Sequence, residues 1–369
     1  MKNKHWLILA LLFAAVLTLG ACGTADEDDT ATDDATETDE DTTEDTIDFS
    51  VAMVTDEGGV DDRSFNQSAW EGIQAFGAEH GLERGTHYNY AQSDDAADYM
   101  PNLNNLLQQD YNLIFGVGFE LREAVEQVAS ANQDTHFSII DEVIEADNVA
   151  SVTFAEEQGS FLVGVAAALK AESDEVGFVG GISSPLIKRF EVGYVAGVKS
   201  VNPDLDVRIN YAESFSDEQM GRSFANSMYG DGIDVIYHAS GAVGNGVFTE
   251  ARNRIENNPD QPVWVIGVDR DQYEEGQQGD HNVTLTSMVK RVDVAVQEIS
   301  EMALSGEFPG GEHIILGLED EAIAVADTNS DAYTDEIREA VEEWKQRILD
   351  GEVVVPQTDE ELEDYLDSL

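Results

Sequence analysis

From about residue 48 onward, short apolar runs rich in β-branched residues alternate with longer amphipathic stretches. The run at 49–54 is followed by residues 64–80, in which Phe65, Ala69 and Ile73 recur at helical spacing. Alternation of this kind predicts βαβ units around parallel sheets. Eight such strands are more than one sheet in a chain of this length usually holds, so we expect two doubly wound lobes.

The predicted elements cover most of the chain. The strands are the short apolar runs at 49–54, 112–117, 136–140, 175–179, 207–211, 235–238, 263–268 and 283–286. The helices are the amphipathic stretches at 64–80, 121–131, 161–170, 189–202, 217–229, 245–257, 292–305 and 330–350. Ser64 with Gln67 three residues later matches a capping box, which predicts that the first helix begins there.

The first 22 residues read as an export signal, with a basic start, an apolar stretch to Gly20 and the chain's single cysteine at Cys22. Small residues before this cysteine match a lipobox, which predicts that Cys22 becomes the acylated first residue of a lipoprotein. A transmembrane anchor, or a cleaved signal with an incidental cysteine, is the alternative. The apolar run is short for a membrane span, which favours lipidation. One cysteine excludes a disulfide framework.

Residues 23–48 carry thirteen acidic residues and almost nothing apolar, so we expect an extended, disordered tether. Folded structure should begin near Phe49. The whole chain of 369 residues has 76 Asp and Glu against 19 Lys and Arg, a net charge of −57. This excess of negative charge argues against nucleic-acid binding, which needs a basic surface.

Acidity extends over the folded part as well, where lysine is scarce. An acidic surface repels itself at low ionic strength, whereas molar salt shortens the Debye length to about 3 Å and screens the repulsion. We therefore predict a salt-loving source. A merely acidic exported protein is the alternative.

Polar or glycine-rich turns follow several predicted strands, among them those that hold Asp56, Asp141, Gly241 and Asp269. Parallel strands bring such turns to one edge of a sheet, which predicts a binding cleft there. Carboxylates accept hydrogen bonds from hydroxyl-rich ligands, and aromatic faces hold flat rings.

Enzyme motifs are missing from the sequence. It contains no phosphate-binding loop, no Gly-x-Ser-x-Gly elbow and no His-x-x-x-His pair. We therefore predict no catalytic residues, no metal site and no cofactor.

A series of motifs in order along the chain resembles the basic membrane protein family of lipoproteins, whose best understood members are purine nucleoside receptors of ABC importers. The resemblance covers residues 49–325. Its motifs are Val54-Thr55-Asp56, Gly58-Gly59, the segment 62–67, Ile140-Asp141, the segment 152–164, the segment 193–198, the segment 240–247, the segment 266–272 and the segment 286–290.

The resemblance implies a type I periplasmic-binding-protein fold, with two Rossmann-like lobes joined by a three-stranded hinge. The N-terminal lobe would comprise residues 49–152 plus about 288–310. The C-terminal lobe would comprise 153–287 plus about 311–369. The chain would cross between the lobes near 152–156, near 286–288 and somewhere after Gly310.

The resemblance also implies a site. Phe65 and Phe215 would sandwich a nucleobase. Asn66 and Asp141 would hydrogen-bond it, with Asp56 beside them. Asp269 would accept the ribose hydroxyls, helped by Lys290 and the backbone at Gly241.

The function implied is an extracytoplasmic, lipid-anchored and monomeric receptor that delivers a purine nucleoside to an ABC permease at the cell membrane. Two alternatives remain open from the residues alone. One is a receptor for a sugar or another small hydroxylated molecule on the same fold. The other is a nucleoside hydrolase that uses Asp56 and Asp141.

Overall fold

The computed structural model describes residues 48–369. The predicted signal, Cys22 and the predicted tether up to residue 47 lie outside the described residues. Within residues 48–369, none of the helices has both the length and the apolar character required to cross a membrane.

Strands and helices alternate through most of the described chain. In order, the elements are β1 (Val51–Val54), α1 (Phe65–Glu79), β2 (Tyr88–Ala91), α2 (Tyr99–Leu107), β3 (Leu113–Val117), α3 (Arg122–Ala131), β4 (His136–Ile140), β5 (Val149–Phe154), α4 (Glu156–Lys170), β6 (Glu175–Gly180), α5 (Pro185–Val201), β7 (Asp206–Tyr211), α6 (Glu218–Gly230), β8 (Val235–Ala239), α7 (Ala242–Asn257), β9 (Trp264–Asp269), β10 (Gln277–Gln278), β11 (His281–Asn282), β12 (Thr284–Lys290), α8 (Val292–Leu304), β13 (His313–Leu316), β14 (Ile323–Val325), α9 (Asp335–Leu349) and α10 (Asp359–Asp367). Short 3₁₀ helices cover Ala96–Asp98, Phe119–Leu121 and Glu274–Gly276.

The strands form two six-stranded sheets and a small β10–β11 hairpin. The first sheet has the order β13-β5-β4-β3-β1-β2, with every pair parallel. The second has the order β14-β12-β9-β8-β6-β7, and its edge strand β14 runs antiparallel to β12. Both sheets are therefore doubly wound, and the prediction of an α/β fold with two Rossmann-like lobes is confirmed.

The chain passes from one sheet to the other three times. It leaves β5 of the first sheet for α4 and β6, returns from β12 of the second sheet to α8, which packs on α1, and passes from β13 to β14. Residues 288–290 thus belong to the second sheet, and 153–154 and 313–316 to the first, opposite to their expected lobes. The reason is local, because β12 continues to Lys290 and β13 pairs with β5.

Helix α1 begins at Phe65, as expected, but the predicted capping box is wrong. The side chain of Ser64 makes no capping bond to the helix. Instead, both carboxylate oxygens of the buried Asp62 accept backbone N–H groups, from Ser64 and Gln67 on one oxygen and from Asn66 on the other, at 2.8–3.1 Å. The hydroxyl of Ser64 is thereby free to bond elsewhere.

Candidate functional site

A pocket lined by residues of both lobes lies between the two sheets. All eight residues that the resemblance pointed to line this pocket, namely Asp56, Phe65, Asn66, Asp141, Phe215, Gly241, Asp269 and Lys290.

The sheet order explains why these residues meet. In each sheet the winding reverses beside the first strand, between β1 and β3 in one and between β6 and β8 in the other. Ligands of open α/β sheets bind at such reversals, outside the carboxyl ends of the strands. Asp56 follows β1, Gly118 follows β3 and Gly241 follows β8, so the loops of both lobes converge on one place.

Asp141 and Asp269 hold corresponding positions in the two lobes. Asp141 follows β4 directly and Asp269 ends β9. Each has a left-handed backbone, with φ of 69° and 64°, a conformation that few residues other than glycine, asparagine and aspartate adopt. Both side chains are about 94% buried, and Oδ1 of Asp141 has no hydrogen-bond partner. A buried acceptor without a partner fits a ligand donor at this point.

Lys290, at the end of β12, is the cation of the pocket wall and is 2% exposed. Its Nζ lies 2.6 Å from Oδ2 of Asp141 and 3.8 Å from Oδ1 of Asp269. Burial acts to lower the pKa of Lys290, but Asp141, Asp269 and Glu156 outweigh it and raise the pKa. The ammonium also lies 4.6 Å from the ring centre of Phe65. Lys290 is thus bonded more closely to Asp141 than to Asp269.

Asp269 is held from the opposite lobe as well. The hydroxyl of Ser64 donates to its Oδ2 at 2.5 Å, so this contact joins α1 to β9. Burial raises the pKa of Asp269 to about 6, while Lys290 and Ser64 act against the rise. The ionised form therefore depends on these two partners.

Asp56 belongs to a network of hydrogen bonds among the residues that follow β1. Its Oδ1 accepts the backbone N–H of Gly58 at 2.8 Å and the amide of Asn66 at 2.7 Å. The same amide of Asn66 donates to Asp62 at 3.0 Å, so both of its hydrogens are used within this network. Burial raises the pKa of Asp56 to about 7. In this structure the amide of Asn66, which the resemblance assigned to the base, is bonded to Asp56 and Asp62.

Aromatic and aliphatic side chains supply the apolar walls. Phe65 comes from the first lobe and Phe215 from the second, and the edge of Phe119 meets Phe215 at a centroid distance of 6.2 Å. Several wall residues were not predicted from the sequence, namely Phe119, Leu186, Ile187 and Phe190. A usable signal existed, because Ser184 caps α5 and Pro185 starts it immediately after β6, which brings the first turn of α5 to the same sheet edge.

Further contacts bridge the two lobes. Ion pairs join Arg63 to Glu275 at 2.6 Å and Glu71 to Arg270 at 2.9 Å. The side-chain amide of Gln272 donates to the carbonyl of Arg63 at 3.0 Å. The structure therefore represents a state in which the two lobes touch across the cleft.

The pocket combines flat apolar walls with carboxylates and one lysine that is already paired. A ligand with an aromatic face and several hydrogen-bond donors fits this chemistry, because the rings cover its faces and the carboxylates accept its donors. A strongly anionic ligand would meet Asp56, Asp141 and Asp269 with no unpaired cation among the wall residues.

The chain resembles known proteins over nearly its whole length. The family profile for ABC transporter substrate-binding protein PnrA-like matches residues 49–359. A CD4+ T-cell-stimulating antigen of Listeria monocytogenes is 46% identical, over 96% of this chain and 99% of that protein. The ABC transporter nucleoside-binding protein BmpA of Lactococcus lactis is 43% identical over the same shares.

A solved structure agrees in fold. An ABC transporter system solute-binding protein from Aeropyrum pernix superposes with a TM-score of 0.75 at 25% identity, over 87% of this chain and 98% of that one. The predicted resemblance is therefore confirmed: the chain belongs to the PnrA-like, or basic membrane protein, family of ABC transporter substrate-binding proteins.

Proposed function

We propose that this protein binds a purine nucleoside between its two lobes and delivers it to the permease of an ABC importer. The observation that carries the proposal is the pocket in which Phe65 and Phe215 lie with Asp141, Asp269 and Lys290. The name of the Lactococcus lactis relative, a nucleoside-binding protein, supports the same ligand class.

Each part of a nucleoside has a counterpart in this pocket. The base would stack against the phenylalanine rings, with its donors directed to Asp56 and to the unpartnered Oδ1 of Asp141. The ribose hydroxyls would lie at Asp269, whose position Ser64 and Lys290 fix from two sides. The ligand would contact both lobes at once and thereby favour the closed state by its differential affinity.

Isothermal titration calorimetry at high salt tests the proposal. Inosine, guanosine and adenosine should give heats of binding, whereas ribose and the free bases should bind more weakly because each lacks half of the contacts. Heat with sugars alone would refute the nucleoside assignment and favour a sugar receptor. Native mass spectrometry of the protein as purified should reveal a retained nucleoside, since closed receptors release their ligand slowly.

We also propose a lipid anchor at Cys22 on the extracytoplasmic face of the cell membrane, with the acidic segment that follows as a spacer. Attachment by more than one acyl chain is stable, whereas a single chain binds reversibly. Expressed in a bacterium that processes lipoproteins, the Cys22→Ser variant should lose membrane attachment and keep its affinity for inosine. Retention of the variant in the membrane fraction would contradict lipidation.

A further inference from the structure

Glu57 reaches from the first lobe to the loop that holds Phe215 in the second. It lies between Asp56 and Gly58 in the loop after β1, and its Oε1 accepts two hydrogen bonds from the β7–α6 loop. The donors are the backbone N–H of Phe215 at 2.6 Å and the hydroxyl of Ser214 at 2.9 Å. One carboxylate oxygen of the first lobe thus accepts the backbone N–H of Phe215, an aromatic residue of the pocket wall in the second lobe.

Ser214 organises the loop that Glu57 holds. Its Oγ accepts the backbone N–H of Ser216 at 3.0 Å and that of Asp217 at 3.2 Å. With both N–H groups donated to it, the hydroxyl turns its own hydrogen to Glu57. The preceding residue, Glu213, has a left-handed backbone with φ of 53°. Hydrogen bonds within its own lobe therefore stabilise the turn. The N–H of Phe215 and the hydroxyl of Ser214 find their acceptor, Glu57, in the other lobe.

Phe215 packs closely against two glycines of its own lobe, Gly181 and Gly241. A Cβ atom at Gly181 would overlap the ring, and one at Gly241 would come within 3.2 Å of the carbonyl oxygen of Phe215. The same carbonyl accepts the N–H of Val243 at 3.3 Å. Phe215 is therefore bonded to its own lobe through its carbonyl and to the opposite lobe through its N–H.

We propose that Glu57 is a positioning residue that fixes the Phe215 ring for stacking when the lobes close. This inference rests on the proposed function, because it assigns Phe215 to the ligand. When the lobes separate, the N–H of Phe215 and the hydroxyl of Ser214 lose Glu57 as their acceptor. Closure of the lobes is therefore coupled to a fixed position of the Phe215 ring. Hydrogen bonds to a charged acceptor are stronger than those between neutral groups, so we expect this contact to contribute to ligand affinity.

Inosine affinity measured by calorimetry at high salt is the first test. Glu57→Ala should weaken binding by roughly 10- to 100-fold, the equivalent of about 1.5–3 kcal/mol for bonds to a charged group. Glu57→Gln keeps an oxygen at the same reach, so it should recover binding to within about fivefold of the wild type. Wild-type affinity in Glu57→Ala would overturn the inference.

A double-mutant cycle separates positioning of the ring from a general effect on closure. In a Phe215→Leu background, Glu57→Ala should cost little further affinity, because the ring it positions is gone. Glu71→Ala is the matched control, since its ion pair with Arg270 also bridges the lobes but does not touch the Phe215 loop. Its cost should be the same in both backgrounds. Additive costs for Glu57→Ala and Phe215→Leu would overturn the inference.

Hydrogen exchange at saturating inosine, which keeps the lobes closed, tests the contact at the Phe215 loop itself rather than through affinity. The peptide that spans 211–218 should exchange faster in Glu57→Ala than in the wild type or in Glu71→Ala. Equal exchange in all three proteins would overturn the inference. Failure of wild-type protein to bind any nucleoside would refute the proposed function instead, so the two failures are distinguishable.

Discussion

Asp269 illustrates at the scale of one residue how backbone and side chain serve the same site. Its left-handed backbone turns the end of β9 toward the pocket, and Ser64 and Lys290 then fix the carboxylate. Strained backbone at a buried polar residue is typical of ligand sites, where the surrounding structure enforces it. Asp141 repeats the left-handed backbone at the corresponding position of the other lobe.

Replacing Asp269 by Asn should weaken inosine binding by roughly 10- to 100-fold. Asn tolerates the left-handed backbone, so the loss reports the missing charge rather than strain. Calorimetry measures the change. Asp271→Asn, in the exposed neighbouring position, is the control and should bind inosine as the wild type does. Equal affinity in Asp269→Asn would remove Asp269 from the ribose site.

Asp56 should make the stability of the ligand-free protein fall as pH rises. Burial raises its pKa from the ordinary 3.8 to about 7, so between these values the folded state binds more protons than the unfolded state does. The free energy of unfolding therefore decreases across this window, by up to about 4 kcal/mol for this one group. Denaturant melts at several pH values measure the slope.

Asp56→Asn removes the titrating group and should flatten the decrease between pH 4 and 7. Asp61→Asn, at an exposed position in the same loop, should leave the slope of the wild type unchanged. Burial also raises the pKa of Asp269, to about 6, and that of Glu156, so both contribute decreases of the same sign and some slope remains in Asp56→Asn. An Asp56→Asn protein with the full wild-type slope would show that Asp56 is ionised in the fold.

At the scale of elements, helices α4 and α5 form a closely packed pair beside the second sheet. Gly193 and Gly197 lie one turn apart on α5, where their missing side chains allow the backbones to approach. A Cβ at Gly197 would overlap the carbonyl oxygen of Phe161 on α4. Since this neighbour is backbone, the contact can relax only if a whole helix moves.

Gly197→Ala should therefore lower the free energy of unfolding by about 1–3 kcal/mol, as overpacking of a core does. Gly230→Ala is the matched control, because Gly230 is also helical but has only the tip of Arg254, 3.8 Å away, near its added methyl group. That substitution should be neutral or stabilising by up to about 1 kcal/mol. Urea melts at high salt compare the two, and equal stabilities would contradict the packing argument.

The elements also show how far the sequence could predict this fold. Strands with a nearly continuous apolar run, such as β3 and β9, were predicted to within a residue, because burial on both faces leaves a clear signal. Strand β2 was not predicted, since its four residues are all half-buried and carry no clear pattern. Helix α10 was not predicted either, because it is rich in acidic residues and only Leu362 and Tyr365 on it pack against the core.

The site was predictable for residues whose place at the end of a strand determines their place in the fold. Asp56, Asp141 and Asp269 directly follow or end strands, so the rule for open sheets brings them together. Glu57 and Ser64 act across the cleft, where the approach of two lobes decides which side chains meet. No local pattern encodes that approach, and these residues emerge only from the assembled structure.

The whole molecule carries a net charge of −57, far more than its ion pairs can neutralise. Most ion pairs of the described residues involve at least one exposed partner, such as Arg338 with Asp335, and such pairs contribute about 1 kcal/mol at most. Burial of the core must therefore overcome a repulsion spread over the entire surface. Salt weakens that repulsion, because the Debye length falls from about 10 Å at 0.1 M to about 3 Å at 1 M.

The melting temperature should accordingly rise steeply between 0.1 and 1 M KCl and level off above it, once the repulsion is screened. Screening depends on ionic strength and little on the identity of the ion, so NaCl and KCl should give the same curve. Sodium sulfate adds a surface-exclusion effect that continues to rise with concentration, which distinguishes it from screening. Scanning calorimetry across the three series measures this. A melting temperature that does not change between 0.1 and 1 M KCl would mean that the acidic surface serves some purpose other than stability in salt.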